Sequence, residues 1–313
     1  MLSILLPVNR HTEYFSSVVN SLVKSIELLN KPTQLVVVLN KLSEEDKRLV
    51  SIDLNFYPFD KVLEITNANN LSEVLNYGLG FCKYDLVARM DQDDVSLPSR
   101  FNEQVSFLEL NLTTSLVGGQ VILINSFDER IGVARYPVGF RKIHKSLKFK
   151  NCFAHPAVMY RKNVVVKIGG YSNRFPFAED YYLWVRLSMI SQVDNLKTYV
   201  LKYRIHNSQV STENFVIQLT STIRIMALQF GVPDEEINLC FKSIESEEKK
   251  QVIKKILKCH SVKQNKNFRA AIALMMLRRG SSYTGNSIFD NLYLVCISIY
   301  SNPISIMKLI LKD

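Results

Sequence analysis

The stretch Ala88-Arg-Met-Asp-Gln-Asp-Asp-Val-Ser-Leu-Pro-Ser-Arg-Phe101 places three carboxylates within four residues, directly after an apolar run. That run, residues 84–90, predicts a buried strand that ends at Asp91. The carboxylates of Asp91, Asp93 and Asp94 repel one another at this spacing unless a cation or hydrogen-bond donors neutralise them. Oxygen ligands of this kind suit Mg²⁺ or Mn²⁺. The alternative is an acidic turn that caps the following helix.

Segments before this stretch alternate between strand and helix patterns. Short apolar runs predict strands at residues 3–8, 35–39 and 62–65, and apolar residues at helical spacing predict helices at 15–29, 43–52 and 71–81, with Ser43 as a possible N-cap. This alternation predicts a parallel, Rossmann-like sheet, in which ligands bind at the carboxyl ends of the strands. The loops after Val8, Leu39 and Met90 are therefore expected on one rim.

The second part of the chain has a different pattern. We predict antiparallel strands at 116–125 and 132–136, a short helix at 144–149, a strand at 158–160, a helix at 179–191 and a last strand at 200–206. After about residue 211 the pattern is helical, without strands.

The acidic stretch resembles the DxD region of family 2 glycosyltransferases, which have the GT-A fold. Five further groups of residues carry the same resemblance in order: Ser3-Ile-Leu-Leu-Pro-Val8, Asn70-Leu-x-x-x-Leu-Asn-x-Gly78, His155-Pro-Ala-Val-Met-Tyr-Arg161 with Gly169-Gly-Tyr171, Ala178-Glu-Asp-Tyr-Tyr-Leu-Trp-Val-Arg186, and Tyr203-Arg-Ile-His206. The sequence looks most like bacterial enzymes that build O-antigen or exopolysaccharide repeat units.

The resemblance implies an α/β protein with a GT-A mixed sheet flanked by helices and a mostly α-helical C-terminal extension. Residues 1–211 are expected to form the catalytic domain, with a nucleotide-sugar half at about 1–100 and an acceptor half at about 101–211. Residues 212–313 are expected to form a helical, basic C-terminal region.

It also implies inverting transfer of a sugar from a nucleotide-sugar, with UDP-hexose favoured, to an acceptor hydroxyl. A lipid-diphosphate-linked saccharide is the expected acceptor. Asp180 is predicted to be the catalytic base with Glu179 in support, because a helix N-terminus favours carboxylates; the alternative is simple helix capping. Mn²⁺ or Mg²⁺ is expected on Asp93, Asp94 and His206, and His206 could instead contact the diphosphate or have a structural role. The residues predicted to bind the donor are Pro7, Asn9, Asn40, Asn70, Asn76, Arg89 and Asp91.

Several of these positions keep a second interpretation. Asn40 stands where many relatives have an Asp that contacts the nucleobase, and Asn9-Arg10 replaces an aromatic residue followed by Asn. Arg89 or Arg100 could pair with the acidic cluster or form a structural salt bridge. Trp184 could stack on a sugar or pack in the core, and His155 is expected to orient the acceptor-side wall.

Composition limits the location and the partners. The chain has 313 residues, 47% of them apolar, and a net charge of +10. Its five cysteines, which lack CxxC spacing, predict free thiols in a reducing compartment: Cys82, Cys152, Cys240, Cys259 and Cys296. No signal-peptide pattern or run long enough to span a bilayer is visible, which predicts a cytoplasmic protein.

From Phe241 onward the chain carries 13 Lys and Arg against 5 Asp and Glu. Such a tail attracts polyanions, and its basic helical pattern predicts either peripheral contact with the inner face of the cytoplasmic membrane or a helical cap packed on the catalytic domain. Nucleic acid is not expected, because aromatic-interleaved basic motifs are absent. Two other functions compete: a metal-dependent nucleotidyltransferase, disfavoured by the absence of Gly from residues 7–12, and a non-catalytic polyanion- or membrane-binding module.

Overall fold

The computed structural model describes residues 1–206, 214–232 and 272. The chain divides into two compact units, one comprising Met1–His144 with Cys152–Glu213 and the other Lys145–Asn151 with Asn214–Asp313. Three predicted features lie outside the described residues: the basic helices of residues 245–279 except residue 272, the apolar segment 288–311, and the cysteines after residue 239.

The first part of the first unit alternates strands and helices. Its elements are β1 (Leu2–Val8), α1 (Phe15–Leu29), β2 (Thr33–Asn40), α2 (Glu44–Leu54), β3 (Asp60–Thr66), α3 (Leu71–Phe81) and β4 (Leu86–Arg89). β1 pairs in parallel with both β2 and β4, and β2 pairs in parallel with β3. The predicted parallel sheet is confirmed. So is the N-cap of α2, where the Ser43 side chain accepts a hydrogen bond from the Asp46 N–H.

The remaining elements complete a mixed sheet. They are β5 (Val95–Ser96), α4 (Arg100–Leu110), β6 (Thr114–Ile124), β7 (Arg130–Ala134), α5 (Phe140–Ser146), a 3₁₀ turn (His155–Ala157), β8 (Met159–Arg161), α6 (Lys162–Lys167), α7 (Glu179–Ile190), β9 (Gln192–Arg204) and, in the second unit, α8 (Phe215–Gln229). The described strands form one sheet in the order β3-β2-β1-β4-β8-β6-β9-β5, with β7 added to β6.

The direction of each strand determines which loops meet. β8 is antiparallel to both β4 and β6, so β6 runs in the same direction as β1 and β4, and β9 is parallel to β6. The carboxyl ends of β1, β2, β4, β6 and β9 therefore lie on one rim of the sheet. The helix α7, which precedes β9, begins at that same rim.

Two predicted elements differ from the structure by more than two residues at a boundary. The helix expected at 144–149 instead spans Phe140–Ser146, because the Gly139 carbonyl accepts the N–H groups of Lys142 and Ile143 and so begins the helix earlier. The last strand begins at Gln192 rather than at residue 200. Its polar first half hid it from the sequence pattern, but long parallel pairing with β6 satisfies its backbone groups.

The structure describes two of the five cysteines, Cys82 and Cys152, and both are buried and outside any disulfide. No helix in the described part of the chain is long and apolar enough to cross a membrane.

The contact of α3 with the sheet requires a small residue. A Cβ on Gly78 would lie 2.4 Å from Leu5 Cδ1 and 2.7 Å from Val38 Cγ2, whereas a Cβ on Gly80 would meet nothing within 4 Å. Gly78 is buried and Gly80 is exposed on the same helix. Substitutions at Gly78 and Gly80 therefore distinguish two effects: the need for a small residue at the contact with the sheet, and the conformational cost of glycine in a helix.

We predict that Gly78→Ala lowers the free energy of unfolding by about 1–3 kcal/mol, because it overpacks the interface between α3 and the sheet. Gly80→Ala should instead raise it by about 0.5–1 kcal/mol, since alanine loses less backbone entropy in a helix. Urea unfolding of both variants measures this difference. If both substitutions changed the free energy of unfolding in the same direction, the result would contradict the described packing of α3.

Candidate active site

Three aspartates converge in the loop after β4. Asp91, Asp93 and Asp94 each offer a carboxylate oxygen, and these oxygens lie within 4.8 Å of one another. Asp91 and Asp93 are partly exposed, whereas the Asp94 residue is 1% exposed. The predicted acidic cluster therefore forms a compact set of oxygen ligands at the carboxyl rim of the sheet.

Asp94 is the least satisfied member of this cluster. Its Oδ1 accepts the Arg204 backbone N–H at 2.8 Å, while its buried Oδ2 has no hydrogen-bond partner among the described residues. Burial, followed by the charges of Asp93 and Asp91, raises the pKa of Asp94 well above its usual value. A buried carboxylate oxygen without a donor, beside two other carboxylates, fits a hard divalent cation.

Arg204 organises the loops around the cluster. Its side chain is fully buried, and Nε donates to the Asp93 carbonyl at 2.8 Å, Nη1 to the Asn125 carbonyl at 3.1 Å and Nη2 to Asp128 Oδ1 at 2.7 Å. The guanidinium also lies 4.1 Å from the centroid of the Tyr14 ring. Sequence reasoning gave this residue no role, although an arginine at the rim end of a predicted strand was a usable signal.

His206 lies next to the same cluster. Its Nε2 is 2.8 Å from Asp93 Oδ2, and its side chain is 11% exposed. The structure thus brings His206 to the predicted metal site through Asp93. A histidine in contact with a carboxylate can fix the orientation of that carboxylate. Whether His206 also binds the ion stays a prediction.

Of the two arginines considered for the cluster, only Arg89 pairs with it. Arg89 is 3% exposed and forms an ion pair with Asp91. Arg100 is fully buried and donates through Nη2 to the Arg89 carbonyl at 2.8 Å and the Val158 carbonyl at 3.4 Å. Burial lowers the pKa of Arg100 to about 9. Arg100 therefore supports the backbone beneath the cluster rather than its carboxylates.

A second acidic pair begins helix α7 at the same rim. Glu179 is 9% exposed, whereas Asp180 is half-buried and its Oδ1 accepts the Tyr181 N–H at 2.6 Å. Asp180 therefore occupies the helix N-terminus, as predicted. Phe177, two residues before Glu179, has φ 59°, a left-handed conformation that is rare for a bulky residue.

The residues predicted on the donor side fall into two groups, and those at the ends of β1 and β2 reach the rim. Pro7 lies within β1, and the Asn9 N–H donates to Gln92 Oε1 at 2.9 Å while Gln92 Nε2 donates to Asn9 Oδ1 at 3.0 Å. These bonds join the loop after β1 to the acidic loop. Asn40 ends β2, and its Oδ1 is buried without a hydrogen-bond partner among the described residues.

The side chains of Asn70 and Asn76 are engaged within the protein. Asn70 caps α3, with Oδ1 accepting the Glu73 N–H at 3.0 Å and Nδ2 donating to Glu73 Oε1 at 2.8 Å. Asn76 bonds both backbone groups of Tyr171, accepting its N–H at 2.9 Å and donating to its carbonyl at 2.8 Å. In this structure both asparagines therefore hold the chain in place, and their donor contacts stay predictions.

Trp184 belongs to the interior, and the partly buried His155 packs beside it. Trp184 is fully buried, with its ring centroid 5.8 Å from that of Phe153 and 5.9 Å from that of His155. The core-packing interpretation therefore holds, and stacking on a sugar is excluded in this conformation. His155 Nε2 lies 3.0 Å from Tyr171 Oη, and burial, with a smaller effect of Arg89, lowers the pKa of His155 well below its usual value.

Comparisons with known proteins agree with this geometry. The profile described as "Glycosyl transferase family 2" matches residues 3–169. The chain is 36% identical to the Escherichia coli O-antigen biosynthesis glycosyltransferase WbnJ over 66% of this chain and 80% of that protein. It is 30% identical to the Erwinia amylovora amylovoran biosynthesis glycosyltransferase AmsE over 66% and 77%.

A third relative has a more specific name. The Escherichia coli UDP-Gal:alpha-D-GlcNAc-diphosphoundecaprenol beta-1,3-galactosyltransferase is 32% identical over 37% of this chain and 42% of its own length. These relatives confirm the resemblance to bacterial glycosyltransferases of O-antigen and exopolysaccharide biosynthesis.

Solved structures support the fold. The S. aureus TarS 1-349 complex with UDP has a TM-score of 0.59 at 13% identity, covering 100% of this chain and 92% of that chain. Glucosyl-3-phosphoglycerate synthase from Mycobacterium tuberculosis, in complex with Mn²⁺, UDP and glucosyl-3-phosphoglycerate, has a TM-score of 0.51 at 14% identity, covering 75% and 82%. The predicted GT-A fold is thereby confirmed. With its rim of carboxylates and the match over residues 3–169, this chain belongs to glycosyltransferase family 2.

Proposed function

We propose that the chain is an inverting, metal-dependent glycosyltransferase that moves a sugar from a UDP-linked donor to a hydroxyl of a lipid-diphosphate-linked saccharide. One observation carries this proposal: two separate carboxylate sets occupy the same rim of the sheet, the cluster after β4 and the pair that begins α7. An inverting transfer needs both carboxylate sets. The charge of the departing diphosphate must be stabilised, and a proton must be removed from the attacking hydroxyl.

The acidic cluster would hold the metal ion that stabilises the departing diphosphate. Asp93 and Asp94 would hold Mn²⁺ or Mg²⁺, with Asp91 fixed by Arg89 and Asp93 in contact with His206. A bound divalent ion supplies positive charge that stabilises a departing diphosphate. The proteins of similar fold that were solved with UDP, or with UDP and Mn²⁺, support this choice of ligands.

The pair that begins α7, Glu179 and Asp180, would supply the catalytic base. Asp180 is the more exposed of the two and lies at a helix N-terminus, where carboxylates are favourable, so it is the group that would take the proton from the acceptor hydroxyl. Burial, reinforced by the charge of Asp180, raises the pKa of Glu179 to about 7. Glu179 is thus suited to a supporting role beneath the base rather than to exchange with solvent.

The acceptor and the location follow from the relatives and from the charge of the tail. A named relative transfers to a diphosphoundecaprenol-linked sugar, which supports a lipid-linked acceptor for this chain. The basic residues after Phe241 favour peripheral contact with the inner face of the cytoplasmic membrane. Because the chain belongs to a glycosyltransferase family, we prefer this function to the two alternatives, a metal-dependent nucleotidyltransferase and a non-catalytic binding module.

Replacing the proposed base tests the reaction directly. Asp180→Asn should lower transfer at least about 100-fold, because general-base catalysis contributes roughly 10²–10⁴-fold, while binding of UDP-sugar stays near that of the wild type. Transfer is measured as release of UDP with lipid-diphosphate-linked saccharides in Mn²⁺, and binding by calorimetry. Wild-type turnover in the variant would remove Asp180 from this role.

Replacing a cluster residue tests the metal. Asp93→Ala should weaken Mn²⁺-dependent UDP binding by more than about tenfold, because loss of even a supporting residue around a metal typically costs that much. Asp60→Ala, which removes an exposed carboxylate paired with Lys83, is the matched control and should bind UDP normally. Unchanged Mn²⁺ dependence in Asp93→Ala would argue against the metal assignment.

The buried Glu179 predicts a pH-dependent stability. Its pKa is raised in the folded state, so the fold holds the proton more tightly than the unfolded chain and loses stability as pH rises from about 4.5 through 7. Glu179→Gln removes this loss. In metal-free buffer its free energy of unfolding should match the wild type near pH 4.5 and exceed it by up to ~3 kcal/mol near pH 8.

Urea unfolding at both pH values measures the effect, and Glu27→Gln on the exposed face of α1 is the control. A Glu179→Gln variant that gains no stability relative to the wild type between the two pH values would contradict the burial of an ionisable Glu179.

A further inference from the structure

The turn between β6 and β7 places a carboxylate against a buried arginine. The Asp128 side chain is 57% exposed, and its Oδ1 accepts a hydrogen bond from Arg204 Nη2 at 2.7 Å. Within the described part of the chain, Arg204 is the one polar partner of this carboxylate. The contact therefore joins an exposed turn to a residue that lies beside the acidic cluster.

The hydrogen bonds of Asn125 fix this turn. Asn125 Oδ1 accepts the N–H groups of Phe127 at 2.9 Å and of Glu129 at 3.0 Å, and Nδ2 donates to Glu129 Oε2 at 2.8 Å. The Asn125 carbonyl accepts the Asp128 N–H at 3.2 Å and Arg204 Nη1 at 3.1 Å. The turn thus presents a carbonyl and a carboxylate to the guanidinium from a backbone that is already held in place.

Arg204 carries this anchoring to the residues that would bind the metal ion. Its Nε donates to the Asp93 carbonyl at 2.8 Å, and its backbone N–H donates to Asp94 Oδ1 at 2.8 Å. Two residues later, His206 Nε2 lies 2.8 Å from Asp93 Oδ2. Because both aspartates are bonded to Arg204, a displacement of Arg204 would move them both.

The position of the guanidinium depends on acceptors within the protein. The Arg204 side chain is 0% exposed, so water cannot replace a lost partner at little cost. The Asp93 and Asn125 carbonyls are neutral, whereas Asp128 carries the opposite charge. Removing the charged partner of a buried cation leaves that cation poorly compensated, and we expect Arg204 to shift in response.

We propose that Asp128 is a positioning residue for the metal site. By holding the Arg204 guanidinium, it fixes the orientation of Asp93 and Asp94 and so increases their affinity for a divalent cation. This inference rests on the metal assignment in the proposed function. Residues that orient metal ligands typically change metal affinity about 10–100-fold, and Asp128 acts one contact further away, so its effect is smaller.

Removing the carboxylate without straining the turn tests this role. Asp128 has φ 64°, which glycine adopts readily and asparagine tolerates. Asp128→Gly should weaken Mn²⁺ binding about three- to tenfold, since it releases Arg204. Asp128→Asn keeps an oxygen that can accept from Nη2 and should stay within about twofold of the wild type. Paramagnetic resonance of free Mn²⁺ measures the affinity, with and without UDP.

The neighbouring carboxylate supplies the matched control. Glu129→Gln removes a negative charge from the same turn, and its amide oxygen can still accept from Asn125 Nδ2. It should leave Mn²⁺ affinity within about twofold of the wild type if the contact with Arg204, rather than the charge of the turn, is what matters. Urea unfolding without metal shows that each variant is folded, and a loss of stability alone would leave Mn²⁺ affinity unchanged.

Two results would overturn the inference: wild-type Mn²⁺ affinity in folded Asp128→Gly, or equal weakening by Asp128→Gly and Glu129→Gln. Asp93→Ala in the same titration distinguishes these results from a failure of the proposed function. If Asp93→Ala kept its Mn²⁺ affinity, the metal assignment itself would fail. If Asp93→Ala lost its affinity and Asp128→Gly did not, the metal assignment would stand and the role of Asp128 would be wrong.

Discussion

Repulsion among three carboxylates at the end of β4 is the constraint on which the site depends. Asp94 is buried, and one of its oxygens has no hydrogen-bond donor among the described residues, although Asp91 and Asp93 lie close by. Arg89 offsets part of the charge through Asp91, and the Arg204 backbone N–H satisfies one oxygen of Asp94. The remainder is a cost to folding that a divalent cation would remove. A site that is unfavourable when empty is well suited to bind a metal diphosphate.

The directions of the strands determine where the acidic cluster lies relative to the other loops. Parallel strands β1, β2 and β4 bring their loops to one rim, and β8 reverses direction so that β6 and β9 end at the same rim. Arg204 at the end of β9 then ties the acidic loop to the loop between β6 and β7. Because α7 begins at this rim as well, Glu179 and Asp180 lie on the same side of the sheet as the acidic cluster.

The strands and helices of residues 1–90 could be predicted almost completely from the sequence, because buried parallel strands and amphipathic helices have strong periodic patterns. The structure does place Asp91, Asp93 and Asp94 together, with His206 beside Asp93 and the Glu179–Asp180 pair at the start of α7, while the roles of these residues stay predictions. Long-range hydrogen bonds were not visible. Asn76 was assigned to the donor but clamps Tyr171 across the fold, and Arg204 was missed because its partners lie far away in sequence. The start of β9 was missed because its polar residues are stabilised by pairing rather than by burial.

We expect the acidic cluster to hold a cation together with the nucleotide diphosphate. Anomalous diffraction at the manganese edge, from crystals grown with Mn²⁺ and UDP, locates the cation. One strong anomalous peak is expected in contact with carboxylate oxygens of Asp93 or Asp94 and with the phosphates of UDP. Bound UDP with its manganese peak elsewhere, and no peak among these aspartates, would contradict it.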